Sequence, residues 1–353
     1  MPELLSRGPS LVKAVSILLA IFSFSGCAAA PFTIDTYKPW ATFLYDEGRT
    51  NYSQEEVVVP MDVAWTEGVD GLSILRPTPL LRRAQSSSPI IHSGAVYTGS
   101  SSGDIFALSL ENGKTLWSFS TDSTIEAAPT VNDEMICFGS TAGTLHCLEK
   151  TSGRELWRHQ ARSEIHSSPI IGKNAVYFLS SDNKLYSLNK ATGEKVWAYT
   201  RKTSSVVKTT FFSSLAASGD RLYALFSDGF LVCLDKDTGK EFWTKKIIQN
   251  PSEALRARRT PLIRDGLVYM IDDKGIILAL DVLTGETKIA YDVAKTIDLI
   301  VADDEIFIAG QDYLMAIKRD SGNILWDKPL KKGQAVSMAG AGRFVFVLSN
   351  QQL

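Results

Sequence analysis

One phrase recurs along most of this chain: a small residue, a glycine six positions on, and a tryptophan four positions after that. It reads Ala107, Gly113, Trp117; Cys147, Gly153, Trp157; Ser187, Gly193, Trp197; Cys233, Gly239, Trp243; Ala279, Gly285, Ile289; and Ala316, Gly322, Trp326. The copies step by roughly 40 residues, the period of propeller blades or solenoid turns. A repeat of this kind accounts for most of the tryptophans, glycines and cysteines as architecture. Function is therefore to be sought where the chain departs from it.

Each copy carries four strand-like stretches separated by glycine-bearing turns. In the first they are Ser88-Pro89-Ile90-Ile91, Ala95-Val96-Tyr97-Thr98-Gly99, Ile105-Phe106-Ala107-Leu108 and Thr115-Leu116-Trp117-Ser118-Phe119. Short, β-branched and aromatic runs at even intervals predict an all-β protein. Four strands per copy predict a β-propeller, whose radial closure protects sheet edges. The spacing implies an indole that leaves each outer strand to cover a slot opened by a small side chain, wedging neighbouring blades together. Asn112, Asp237 and Asp320 read as turn caps rather than ligands.

Six copies are complete, and the two ends supply another. Ala335–Met338 and Phe344–Leu348 begin a blade that the chain does not finish, while Glu56–Val59 and Val63–Thr66 resemble a third and an outer strand without a blade. Joining them closes a ring of about seven blades. Eight is the alternative if residues 66–86 hold a degenerate one. The organisation read from the sequence is a leader over 1–26, a tether over 27–56 and a propeller over 57–353.

Composition narrows the function. With 37 Lys and Arg against 39 Asp and Glu, the chain has no polyanion-binding field, and no nucleic-acid partner is expected. Arg7 and Lys13 precede the apolar run Ala14–Phe24, which is too short to span a bilayer and reads as a secretory signal. Cys137 and Cys147 flank one hairpin turn and can pair in an oxidising compartment, a buried free thiol being the default for them and for Cys233. His92, His146, His159 and His166 have no metal-ligand spacing. His92 and His166, beside inner strands, could line a channel together or be scattered. No serine sits in a nucleophile elbow, and no catalytic residue or cofactor is expected.

Phe24-Ser25-Gly26-Cys27 resembles the lipobox of bacterial lipoproteins, in which the cysteine is acylated and becomes the mature N-terminus. Ala28-Ala29-Ala30 offers an ordinary signal-peptidase site instead. Ala28 after the cysteine, by the same resemblance, implies the outer membrane of a Gram-negative cell. The blade phrase, as in Val176-Tyr177, Leu185-Tyr186-Ser187-Leu188 and Thr192-Gly193-Glu194-Lys195-Val196-Trp197, resembles the pyrroloquinoline-quinone-like repeat family. That family includes quinoprotein dehydrogenases and non-enzymatic lipoproteins of the outer-membrane β-barrel assembly machinery. An acylated N-terminus followed only by blades is most similar to the second group. The resemblance implies a lipid-anchored periplasmic scaffold whose partner is a barrel-assembly component. The alternatives are a quinone- or ligand-binding propeller serving an oxidoreductase system, or a scaffold of another envelope or secretion complex.

Three irregular insertions, residues 68–87, 202–208 and 247–261, all lead from outer strands into inner ones and should share one rim. They mix apolar residues with arginine, the composition of a protein-binding surface. Leu75, Arg76, Arg82, Arg83, Leu255, Arg256, Arg258 and Arg259 are the candidate partner contacts. Solvated loops whose leucines pack back on the blades are the alternative.

Overall fold

The computed structural model describes residues 4–5, 13–16, 46–54, 63–66, 87–201, 213–250, 260–293, 295–330, 334–342 and 344–350. It is an all-β propeller of seven sheets, with no helix among the described residues. Six sheets are four-stranded antiparallel meanders that follow the chain from the hub outwards. Blade one is Ile90–His92, Ala95–Gly99, Asp104–Ser109 and Thr115–Ser120. Blades two to six repeat it, with inner strands at Thr130–Val131, Ile170–Ile171, Ala216–Ser218, Leu262–Arg264 and Thr296–Val301. Blade seven is built on Gln334–Ala341 and Phe344–Asn350.

N-terminal segments complete blade seven. Tyr52–Ser53 lies parallel to Gln334–Ala341 on the hub side, and Lys13–Ser16 runs parallel to Phe344–Asn350, followed by Leu4–Leu5. Closure by N-terminal strands was expected, but the segments differ from those read in the sequence. Glu56–Val59 lies outside the described residues, and Lys13–Ser16 belongs to the stretch read as a leader. Val63–Thr66 forms no ladder. Its Trp65 nevertheless occupies the place of an outer-strand tryptophan.

The core consists of apolar seams between neighbouring blades, such as Ile105, Ile125, Ile136 and Phe138 between blades one and two. At the outer end of five seams an indole closes the contact. Trp65, Trp117, Trp157, Trp197 and Trp243 lie flat on Gly113, Gly153, Gly193, Gly239 and Gly285 of the following blade, where an added Cβ would come within 2.5–2.7 Å of the ring. These glycines also have φ between 70° and 73°, so two separate constraints exclude larger residues. Each indole N–H donates to the carbonyl three residues before its glycine, at Leu110, Lys150, Lys190, Lys236 and Val282, over 2.8–3.2 Å.

Within its own blade each tryptophan faces the small residue of the phrase, as Trp117 faces Ala107. The register slips immediately after that pair in all six complete blades. The bulge turns the tryptophan toward the next blade and puts the preceding residue outside, leaving Leu116 and Val196 more than half exposed. Across the second strand the small residue faces an aromatic ring: Tyr97 at Ala107, Tyr177 at Ser187, Tyr223 at Cys233, Tyr269 at Ala279 and Phe307 at Ala316.

Blade two replaces that pair with Cys137 opposite Cys147, joined as a disulfide. The free-thiol default is thus corrected for these two: directly opposed positions bring the sulfurs together where other blades seat a ring against a small side chain. Cys233 stays free and buried. Blade five departs differently, with Ile289 in the tryptophan position. Tyr291, two residues on and therefore on the same strand face, lies beside Gly322, where an added Cβ would come within 3.2 Å of the ring, and donates its hydroxyl to the Arg319 carbonyl. The phenol recovers the hydrogen bond but covers less surface, and a cleft of about 440 Å³ remains beside it, lined by Ile289, Val293, Tyr313, Met315 and Ile324.

His146 is buried between Phe138 and Phe119 and bonded through Nδ1 to Glu155 at 2.8 Å. Burial is the largest influence on its pKa and lowers it, against the opposing effect of Glu155. Burial likewise lowers His92 and His159.

Trp157→Ala, which opens a cavity and orphans the Lys190 carbonyl, is expected to cost about 3–5 kcal/mol in urea unfolding. Gly193→Ala is expected to destabilise more than Gly322→Ala, since φ is the same but only Gly193 lies against an indole; equal costs would refute the docking account. Histidines with depressed folded pKa values stabilise the fold while the unfolded chain is also neutral, and that contribution is lost as pH falls below about 6.5, where the unfolded chain protonates first. The melting temperature should therefore fall between pH 7.5 and 5, and His146→Gln should flatten that slope.

Candidate functional site

What departs most from the repeat lies in the hub. Residues 46–53, in the stretch read as tether, occupy the propeller axis, with Arg49, Thr50, Asn51 and Ser53 buried. Asp46 starts the turn: its carboxylate accepts from the Thr50 amide at 3.0 Å and hydroxyl at 2.7 Å, and its carbonyl accepts from the Arg49 amide. Arg49 and Asn51 both adopt left-handed backbone, at φ 61° and 56°. Gly48 is required because a Cβ there would stand 2.7 Å from the Ile263 carbonyl oxygen.

The segment bonds to one blade after another. The Ala217 amide of blade four donates to the Glu47 carbonyl at 2.8 Å, and the Ile263 amide of blade five to Gly48 at 2.6 Å. Arg49 is fully buried; Nε donates to the Leu215 carbonyl at 2.8 Å, while an Nη reaches those of Pro169 at 3.3 Å and Ser168 at 3.5 Å. The Asn51 side chain donates to the Met338 carbonyl, and its own carbonyl accepts from Gly340 at 2.9 Å. Tyr52 lays its ring on Gly340 and donates to the Gly342 carbonyl at 2.7 Å. Gln54 contacts Asp303 of blade six. Burial pulls the Arg49 guanidinium down to about 10, against the opposing charges of Asp46 and Glu47, so it remains a cation at neutral pH.

Direction along the axis matters. Ser168, Pro169 and Leu215 immediately precede inner strands, whereas Gly342, which bonds to Ser53, follows one. The segment therefore runs from the face where inner strands begin to the opposite face. Asp46 thus stands at the face on which the inner strands begin, the face at which Ser87, Ser213 and Thr260 lead into them.

All eight candidate partner contacts, Leu75, Arg76, Arg82, Arg83, Leu255, Arg256, Arg258 and Arg259, lie outside the described residues, as do Cys27 and the 202–208 stretch. The flanks of the insertions are described. Arg201 is paired to Asp228 and lies 3.9 Å from the centre of the Phe230 ring, which Lys246 approaches at 4.7 Å. Ile247 and Ile248, read as part of the third insertion's surface, are instead buried in the seam between blades four and five. His92 and His166 do not meet as a channel pair. His92 bonds to Ser93 and faces Asp133, while His166 bridges Glu126 at 2.9 Å and Glu164 at 3.2 Å.

A quinone held with Ca²⁺ needs convergent carboxylate and amide oxygens around an open space. The hub residues do not fit that demand. A guanidinium of the wrong sign fills the axis, and the buried carboxylate of Asp298 is taken up by the amides of Leu299 and Met338. Among the described residues no group of three or more His, Cys, Asp or Glu could hold a metal ion.

Sequence reasoning missed Arg49 because Asp46–Ser53 carries no repeat phrase and sits in a polar stretch. The only available signal was a cluster of turn formers, Asp46, Gly48 and Asn51, around one arginine.

Comparison with known proteins agrees with the architecture. The family described as outer membrane protein assembly factor BamB matches residues 62–128 and 111–328. BamB of Yersinia pestis is 33% identical over 70 residues, 20% of this chain and 18% of the length of that relative. The crystal structure of BamB from Moraxella catarrhalis superposes with a TM-score of 0.60 at 18% identity, covering 73% of this chain and 77% of that one. A quinohemoprotein alcohol dehydrogenase from Comamonas testosteroni reaches a TM-score of 0.62 at 15% identity, over 86% and 74% of the two chains. At such identities both superpositions speak for the fold alone. The family match covers most of the repeats, and the chain belongs to the outer membrane protein assembly factor BamB family.

Proposed function

We propose that this protein is a lipid-anchored scaffold of the bacterial envelope that binds a component of the outer-membrane β-barrel assembly machinery. It would be held at the outer membrane through Cys27 and would face the periplasm; processing at Cys27 would remove Leu4–Leu5 and Lys13–Ser16 and leave Tyr52–Ser53 as the N-terminal strand of blade seven. The observation that carries the reading is the hub: a family member whose axis is filled by its own buried arginine has its recognition surface on the rim rather than in a central ligand site. Membership of an assembly-factor family supports it. The Cys137–Cys147 disulfide also suits an oxidising compartment such as the periplasm.

Mechanistically, a rigid ring on a membrane tether raises the local concentration of its partner and lowers the entropic cost of encounter. Arginines among apolar residues on loops are the pattern of interface anchors, and Arg76, Arg256 and Arg258 are assigned to partner contact.

Affinity capture of the tagged protein from detergent-solubilised outer membranes should recover a barrel-assembly component. The combined change Arg76→Glu, Arg256→Glu and Arg258→Glu should reduce recovery at least tenfold, with the melting temperature unchanged, since rim charge reversal juxtaposes like charges and suppresses encounter. Recovery of a different envelope complex, or of none, would refute the assignment.

A further inference from the structure

The hub segment has a chemistry that a passive linker does not need. Two non-glycine residues, Arg49 and Asn51, are held in left-handed backbone within three positions. Such conformations persist only where the surroundings over-determine them. A guanidinium is taken wholly out of water and met by main-chain carbonyls from blades three and four. An apolar side chain would fill the same volume without that desolvation. What the arginine adds is orientation, because its rigid planar fork engages acceptors on two blades at once. Gly48, Asn51 and Tyr52 then fix the segment to blades five and seven.

The flanks of the segment are also held. On the far face Gln54 meets Asp303, and farther along the chain Trp65 docks on blade one. Tyr52–Ser53 adds to the sheet that brings the end of the chain back beside its beginning. The segment is thus enclosed by the blades it joins.

We propose that Asp46–Ser53 is a strap clamped in the propeller axis, so that ring closure and retention of the N-terminal tether are one event. The grip is non-covalent and centred on Arg49. The strap leaves the axis only when blades separate, and a pull on the tether is distributed over blades three, four, five and seven instead of peeling one edge strand. The strap stands on hub geometry alone; only its use as the link to a membrane anchor rests on the reading given under Proposed function.

The test is to cut the chain beyond the strap and ask whether the strap stays. A protease site introduced between Gln54 and Val63 of the full chain, with a label ahead of Asp46, allows the folded protein to be nicked and followed by size exclusion. The labelled fragment should co-elute with the propeller until the ring itself unfolds, and should do so equally in a chain beginning at Cys27, which lacks the pairing of Lys13–Ser16 with blade seven. Arg49→Ala should speed its release on the order of thirtyfold or more, the scale for truncating a buried hydrogen-bonded charge. Arg49→Lys should fall between. If Arg49→Ala does not fold, the wild-type nick and Asn51→Ala decide on the same readout. Prompt release of the wild-type fragment from a ring that keeps its melting temperature would overturn the proposal, and so would equal retention in a folded Arg49→Ala. None of these outcomes depends on which partner the rim binds.

Discussion

The contact on which the ring depends is an indole laid flat against a turn that has no side chain. It demands three things of the sequence at once: a glycine able to adopt positive φ, a carbonyl three residues earlier to take the indole proton, and a small residue opposite the tryptophan in its own blade. Because the donor lies on one blade and the glycine on the next, each contact fixes a relation between neighbours. A series of such relations, each set by the same geometry, generates a circle without any element that spans it. The bulge in each of the six complete blades belongs to the same device, since it turns the outer-strand side chain toward the following blade.

The hub works on the opposite principle. There a single segment touches many blades, through main-chain hydrogen bonds and one buried cation, with little apolar surface of its own. Rim contacts set the angle between adjacent blades, and the hub segment ties blades three, four, five and seven to the axis. The resulting platform leaves its inter-blade connections as the variable parts, which is where protein-binding residues are placed on rigid scaffolds. A likeness to dehydrogenases of the same fold does not alter this, because fold and activity separate at the level of sites.

How much of this could be read from the chain follows from periodicity. Blades one to six were legible down to their strands because each copy repeats the same turn chemistry. The tryptophan was legible as a wedge, although its partner was not: the phrase joins a glycine and a tryptophan of one blade, whereas the contact runs to the glycine of the next. Val63–Thr66 reads as an outer strand but forms no ladder, and only the docking place of Trp65 follows the analogy. Arg49 was not legible, because a buried cation served by main-chain carbonyls leaves no pattern in side-chain identity. Tyr291 stayed hidden for a related reason, since a substitute two residues away breaks the spacing that would reveal it. The opposition of Cys137 and Cys147 was present in the hairpin register, but only coordinates show that the pair replaces a ring stacked over a small residue.

Tyr291 has one more implication. The joint it closes keeps its polar bond and gives up part of its apolar cover, so resistance to bending around the circle is uneven. Breathing of the wheel is expected to be easier between blades five and six than at the five joints closed by a docked indole. A molecule built from near-identical parts thereby carries a local difference in stiffness, written in the replacement of one aromatic ring by another.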